Sequence, residues 1–102
     1  MPEFVKVAKT ENIPAGQAMM VEVNGKEIAL FNVAGSFHAI DNTCTHVGGP
    51  LCEGELEGIE VTCPWHGAVF DVTTGQVLGP PAPESVVRYS VRVEDSDIEV
   101  EV

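Results

Sequence analysis

The chain is poor in positive charge. Five Lys and Arg stand against sixteen Asp and Glu in 102 residues, a formal net charge of −11. The five cations are Lys6, Lys9, Lys26, Arg88 and Arg92, so positions 27–87 hold none, while Glu27, Asp41, Glu53, Glu55, Glu57, Glu60, Asp71 and Glu84 fall there. Such a surface repels a phosphate backbone and argues against nucleic-acid binding. It suits a basic protein partner, and it is equally the ordinary solvated face of an acidic protein.

Long apolar runs are also missing. No stretch approaches the roughly 18 uninterrupted apolar residues of a membrane span, and the opening MPEFVKVAKTENI lacks the basic start and apolar block of a signal peptide. The expectation is a soluble cytoplasmic protein with no membrane partner. Cysteine is scarce: Cys44, Cys52 and Cys63 are few for a secreted disulfide scaffold, and their odd number leaves one unpaired. Metal ligation or free thiols fit better. Helix signals are limited to a short turn around Glu11 to Ile13. No G-x-G-x-x-G follows any strand, which removes a dinucleotide site.

What is present is β-signal. At this length, with 44% hydrophobic residues, one core and one domain spanning 1–102 are expected. AMMVEV (18–23) and KEIALFNV (26–33) flank Asn24-Gly25, the strongest short hairpin signal, and should pair antiparallel. Further candidate strands are FVKVA near the start, SFHAI (36–40), IEVTC (59–63), AVFDV (68–72), QVL (76–78), SVVRYSVRVE (85–94) and the terminal DIEVEV. Turn residues separate them at Gly35, Glu57-Gly58, Thr74-Gly75, GPPAP (79–83) and Asp95 to Asp97. The fold class is all-β, an antiparallel sandwich or partly open barrel. Residues 41–83 are rich in Gly, Pro and Cys and read as a loop-rich subdomain inserted in it.

That insert holds the chemistry. Cys44-Thr45-His46 and Cys63-Pro64-Trp65-His66 each offer one thiol and one imidazole, with sixteen residues between His46 and Cys63. Two such pairs in turn-rich contexts suit zinc or iron held between two loops. Structural zinc accepts two Cys and two His, but its familiar spacings place two cysteines on one knuckle and two histidines on a following helix, and no helix follows here. A 2Fe-2S cluster accommodates the split if both cysteines bind one iron and both histidines the other.

The two pairs, with Gly67 after the second and Gly79-Pro80-Pro81 beyond, resemble the Rieske motif, and nearly the whole chain resembles a Rieske-type ferredoxin. The resemblance implies the Rieske iron-sulfur fold: a basal antiparallel β domain, an inserted two-loop cluster-binding subdomain, and a proline loop packed against the cluster. It implies one [2Fe-2S] cluster, with Cys44 and Cys63 on one iron and His46 and His66 on the other. Two ferric ions, two sulfides and two thiolates cancel in charge, so the oxidised centre is neutral and accepts an electron more readily than an all-cysteine cluster. High-potential relatives carry an extra cysteine in each cluster loop, paired as a disulfide. The matching positions here are Gly49 and Trp65, and Ala68 and Phe70 replace a serine and a tyrosine whose hydroxyls donate to sulfur. Lacking these donors, the centre should lie at the low end of the Rieske range of roughly −150 to +300 mV.

Three other features carry less. Cys52 has no spare partner and reads as a small buried residue; His38, inside SFHAI, reads as an ordinary strand residue; and Pro80 to Pro83 reads as a shielding loop. Trp65 is expected to pack at the cluster rim and shield it. A Rieske oxygenase needs a second iron held by two further histidines, and only His38 is left, so the chain is not itself the oxygenase. The family implies a monomeric ferredoxin, not an enzyme. It would carry single electrons from a flavin-dependent NAD(P)H ferredoxin reductase to a terminal Rieske oxygenase in aromatic hydrocarbon catabolism, commonly a dioxygenase. Docking is expected around Gly48, Gly49, Pro50, Trp65 and the proline loop. A small subunit of a nitrite-reductase-type enzyme and a zinc-stabilised interaction module remain as alternatives.

Overall fold

Asn24 and Gly25 both adopt positive φ, 52° and 79°, the geometry of a type I′ turn whose twist matches the strands it joins. The strands on either side, β2 (Ala18–Val23) and β3 (Lys26–Val33), pair antiparallel from Ala18 opposite Phe31 to Val23 opposite Lys26. The computed structural model describes residues 3–43, 50–65, 67–79 and 85–101. Within them the remaining strands are β1 (Phe4–Lys9), β4 (Ser36–Asp41), β5 (Glu55–Glu57), β6 (Glu60–Thr62), β7 (Val69–Asp71), β8 (Val77–Gly79), β9 (Arg88–Tyr89), β10 (Val91–Glu94) and β11 (Asp97–Glu101). Single 3-10 turns occur at Thr10–Asn12, as expected near Glu11, and at Leu51–Glu53. The described residues contain no helix long and apolar enough to cross a membrane.

The described strands form three antiparallel sheets, ordered β2-β3-β4-β9, β1-β11-β10 and β5-β6-β7-β8. Side chains alternate across a strand, and β3 uses both faces. Ala29 and Phe31 join one buried cluster with Leu51, Val61, Cys63 and Phe70, whereas Ile28 and Leu30 join another with Ile13, Ile98 and Val100. Residues 28 to 31 are all fully buried, so β3 reads as a continuous apolar run where a one-sided strand would alternate. The sheet containing β3 therefore separates two cores. The basal core lies toward β1 and β11, and the other toward β5 to β8.

Two expectations need adjustment. The segment 85–94 is two strands, because the chain changes sheets at Ser90: β9 pairs with β4, and β10 with β11. Such a sheet switch leaves no trace in an alternating sequence pattern. Strand β5, of sequence ELE, was not expected. Glutamate has low strand propensity, and pairing of Leu56 with the buried Val61 holds it in place.

Candidate metal centre

Two loops rise from the core that contains Cys63, the second of them a tight turn. The first loop leaves β4 at Asp41 and returns at Pro50, where an isolated antiparallel bridge joins Thr43 to Pro50. Asn42, 4% exposed, fastens its base. The Asn42 N–H donates to the Glu27 carbonyl (3.0 Å), its carbonyl accepts from the Leu51 N–H (2.7 Å), and its Oδ1 accepts from the Cys52 N–H (2.8 Å).

The second loop is a turn closed by two backbone bonds, from the Cys63 N–H to the Ala68 carbonyl (2.7 Å) and from the Gly67 N–H to the Cys63 carbonyl (3.1 Å). Gly67 has φ 78°, a left-handed value that suits glycine and lets the chain reverse into β7. Close approach also governs Gly54, where a Cβ would collide with the carbonyl oxygen of Thr62. The chain after the proline segment rejoins the fold beside the first loop. The Asp41 N–H donates to the Val87 carbonyl (2.9 Å), and the Asp41 carboxylate accepts from the Val87 N–H (3.4 Å) and from the Tyr89 hydroxyl (2.6 Å).

Of the four expected ligands, Cys63 is described. It is 2% exposed, in no disulfide, and packed with Leu51, Ala68 and Phe70. Cys44, His46 and His66 lie outside the described residues, as do Gly48, Gly49 and the Pro80 to Pro83 segment. Leu51 at the foot of the first loop and Cys63 and Ala68 at the foot of the second belong to one buried cluster, so both loops spring from the same apolar floor. Ala68 and Phe70 are themselves fully buried there and offer no hydroxyl. The donor set fits an iron-sulfur group: two thiols and two imidazoles on two loops, one of the thiols buried and unpaired on an apolar floor.

Cys52 is half-buried and in no disulfide; burial first, then the Glu53 carboxylate, pushes its thiol up, so it stays protonated, as a packing residue should. His38 is a half-buried residue of β4 opposite Phe31. Burial, then the Arg88 charge, lowers its pKa against an opposing pull from Asp71. Trp65 is 57% exposed, as a docking-rim residue requires, and the fully buried Phe70 is the aromatic packed with Leu51, Cys63 and Ala68. On the outer side of the small sheet Glu57 faces Glu60, and Glu60 faces Asp71, a row of like charges with no cation in positions 27–87.

Residues 3–90 match the Rieske [2Fe-2S] domain family. The chain is a Rieske protein. It is 42% identical over 92 residues to the ferredoxin component of the naphthalene 1,2-dioxygenase/salicylate 5-hydroxylase systems of a Ralstonia species, covering 90% of this chain and 88% of that relative. Its fold superposes on the ferredoxin of carbazole 1,9a-dioxygenase from Nocardioides aromaticivorans with a TM-score of 0.92 at 31% identity, covering 95% of each chain. A chain from a complex of reduced oxygenase and oxidised ferredoxin in carbazole 1,9a-dioxygenase matches with a TM-score of 0.90 at 30% identity, over 96% of this Rieske chain and 92% of that one. Asn42 and Gly54 are the site-shaping residues that motif reading missed. Neither belongs to the Cys/His pairs, and their roles depend on contacts with Cys52 and Thr62.

Proposed function

We propose that the chain is a soluble cytoplasmic Rieske ferredoxin, one domain over 1–102, in which Cys44 and Cys63 bind one iron and His46 and His66 the other. Its role is to carry single electrons from an NAD(P)H-dependent flavoprotein reductase to a terminal aromatic-ring-hydroxylating oxygenase. It has no substrate-transforming site of its own. The observation that carries the reading is the junction of two Cys/His loops on one apolar floor, with the buried, unpaired Cys63 at its edge. When bound, the cluster would supply one-electron redox chemistry, with His46 and His66 holding one iron as neutral imidazoles and Cys44 and Cys63 holding the other.

The protein's residues do the rest. Leu51, Ala68 and Phe70 pack with Cys63 and keep water from its thiol. Buried apolar neighbours without hydroxyls favour the less charged, oxidised state and lower the potential. The exposed Trp65 and the half-buried Pro50 give an apolar contact rim for a transient partner, and the acidic row nearby steers a basic one.

Purified protein tests the reading. Expected are two irons and two sulfides per chain, a reducible brown species, and a reduced-state EPR spectrum of low average g. Electron delivery from a reductase should slow as salt rises. A colourless protein that holds zinc ends the ferredoxin reading, and salt-insensitive transfer ends the steering proposal.

A further inference from the structure

Leu51 and Cys52 open a 3-10 turn whose preceding residue is Pro50, and Pro50 makes no side-chain cap. The first amides of such a turn have no partner within it and need an outside acceptor. Asn42 supplies both: its carbonyl takes the Leu51 amide at 2.7 Å, and its Oδ1 takes the Cys52 amide at 2.8 Å. This is the work of an N-cap, done from across the loop by a residue ten positions earlier. The Asn42 amide is meanwhile held by the Glu27 carbonyl in the β2–β3 hairpin at 3.0 Å. One buried residue thus fixes the start of the first loop, the end of the first loop, and the position of both on the central sheet.

We infer that Asn42 is a positioning residue for the Rieske centre: its side-chain oxygen sets the closure of the loop that bears Cys44 and His46, and through it how firmly the centre is held. The inference rests on the ligand assignment proposed above. Cys44 lies two residues after Asn42 in sequence, so a loosened base adjoins the ligand pair directly along the chain. Alanine at 42 deletes the acceptor and leaves the Cys52 amide an orphan beneath a half-buried thiol. Aspartate keeps an oxygen in the same place. An apolar residue of similar size would fill the space and still fail, which separates the cap from simple packing.

The experiment compares wild type, Asn42→Ala, Asn42→Leu and Asn42→Asp as cluster-loaded proteins. Two readouts are taken: the rate of iron release to a chelator, and the line shape of the reduced EPR signal. Loss of one charge-free hydrogen bond, leaving a part-buried orphan amide, should speed release on the order of tenfold in the Ala and Leu variants and broaden their spectra. Asn42→Asp should release iron within about twofold of wild type, since its oxygen still accepts. If the Ala and Leu variants do not fold, Asn42→Ser, with a shorter acceptor, should show the same changes at smaller amplitude. Wild-type release rates and line shapes in the Ala, Leu or Ser variants would overturn the inference, whatever their melting temperatures. Equal acceleration in Asn42→Asp would overturn it as well. A wild-type protein that takes up no cluster would instead defeat the ferredoxin reading.

Discussion

Strands β1 to β4 run six to eight residues, whereas β5 to β8 have three residues each. The difference decides how each half is held. In the basal half the β2–β3 hairpin has six consecutive facing pairs and the β3–β4 hairpin another six, and cross-strand pairing repeats along the sheet. In the small sheet each strand sends a single apolar residue inward: Leu56, Val61, Phe70 and Val77. Its outer face opposes Glu57, Glu60 and Asp71, which repel. Three-residue strands with one anchor apiece depend on fixed points: the Asn42 contacts, the Cys63 turn, the close fit at Gly54 and, on the proposed ligation, the cluster. Order in the basal half comes from repetition, and order near the centre from a few specific contacts.

Removing the metal should widen this contrast most. Chelation of iron is expected to raise amide hydrogen exchange across 50–79 by orders of magnitude while β3 and β11 keep their protection, because a bound group stabilises only the state that binds it. Uniform loss of protection, measured by mass spectrometry, would show that the two halves unfold as one.

Gly54→Ala strikes the small sheet alone. The added methyl meets the Thr62 carbonyl, backbone that cannot swing away, and the variant should lose about 1–3 kcal/mol by urea titration, on the scale of overpacking.

Tyr89→Phe probes the seam. Its hydroxyl joins β9 to Asp41, the last residue before the first loop, and its loss should cost about 1 kcal/mol. Burial, then the hydrogen bond to Asp41 and its charge, push the Tyr89 pKa up to about 12. The folded protein therefore holds this proton more tightly than the unfolded chain. The stability it contributes is complete below about pH 10 and is lost as pH rises toward 12. The variant should lack that alkaline decline, and thermal melts across this window read it.

Ala68→Ser is the smallest change. A hydroxyl at this buried position beside Cys63 adds a donor that alanine cannot offer. If the donor favours the reduced state by about 1 kcal/mol, the midpoint rises by roughly 40 mV. An unmoved voltammetric midpoint would separate the potential from these neighbours.

Much of the basal half was legible in its residues. Asn24-Gly25 demanded a two-residue turn, and the strands on either side of it begin and end where their apolar pattern does. The break at Ser90 was hidden, because strand pattern records alternation and not the partner sheet. Near the centre, ligand types stood out, since few roles call for Cys-x-His and Cys-x2-His in turns. Trp65 was less legible: an aromatic between two ligands can pack or face a partner, and its exposure depends on which way the turn faces.

The sequence by itself determined the candidate chemistry: the two Cys/His pairs, the all-β class, the acidic middle without a cation, and the lack of hydroxyls at 68 and 70. These follow from residue type and local spacing, which the chain carries before it folds. Only the tertiary structure decided that β3 divides two cores, that Leu51 and Cys63 share one floor, and that Asn42 caps a turn ten residues away. Each of these joins groups distant along the chain, and a contact of that kind exists only once the intervening strands have paired.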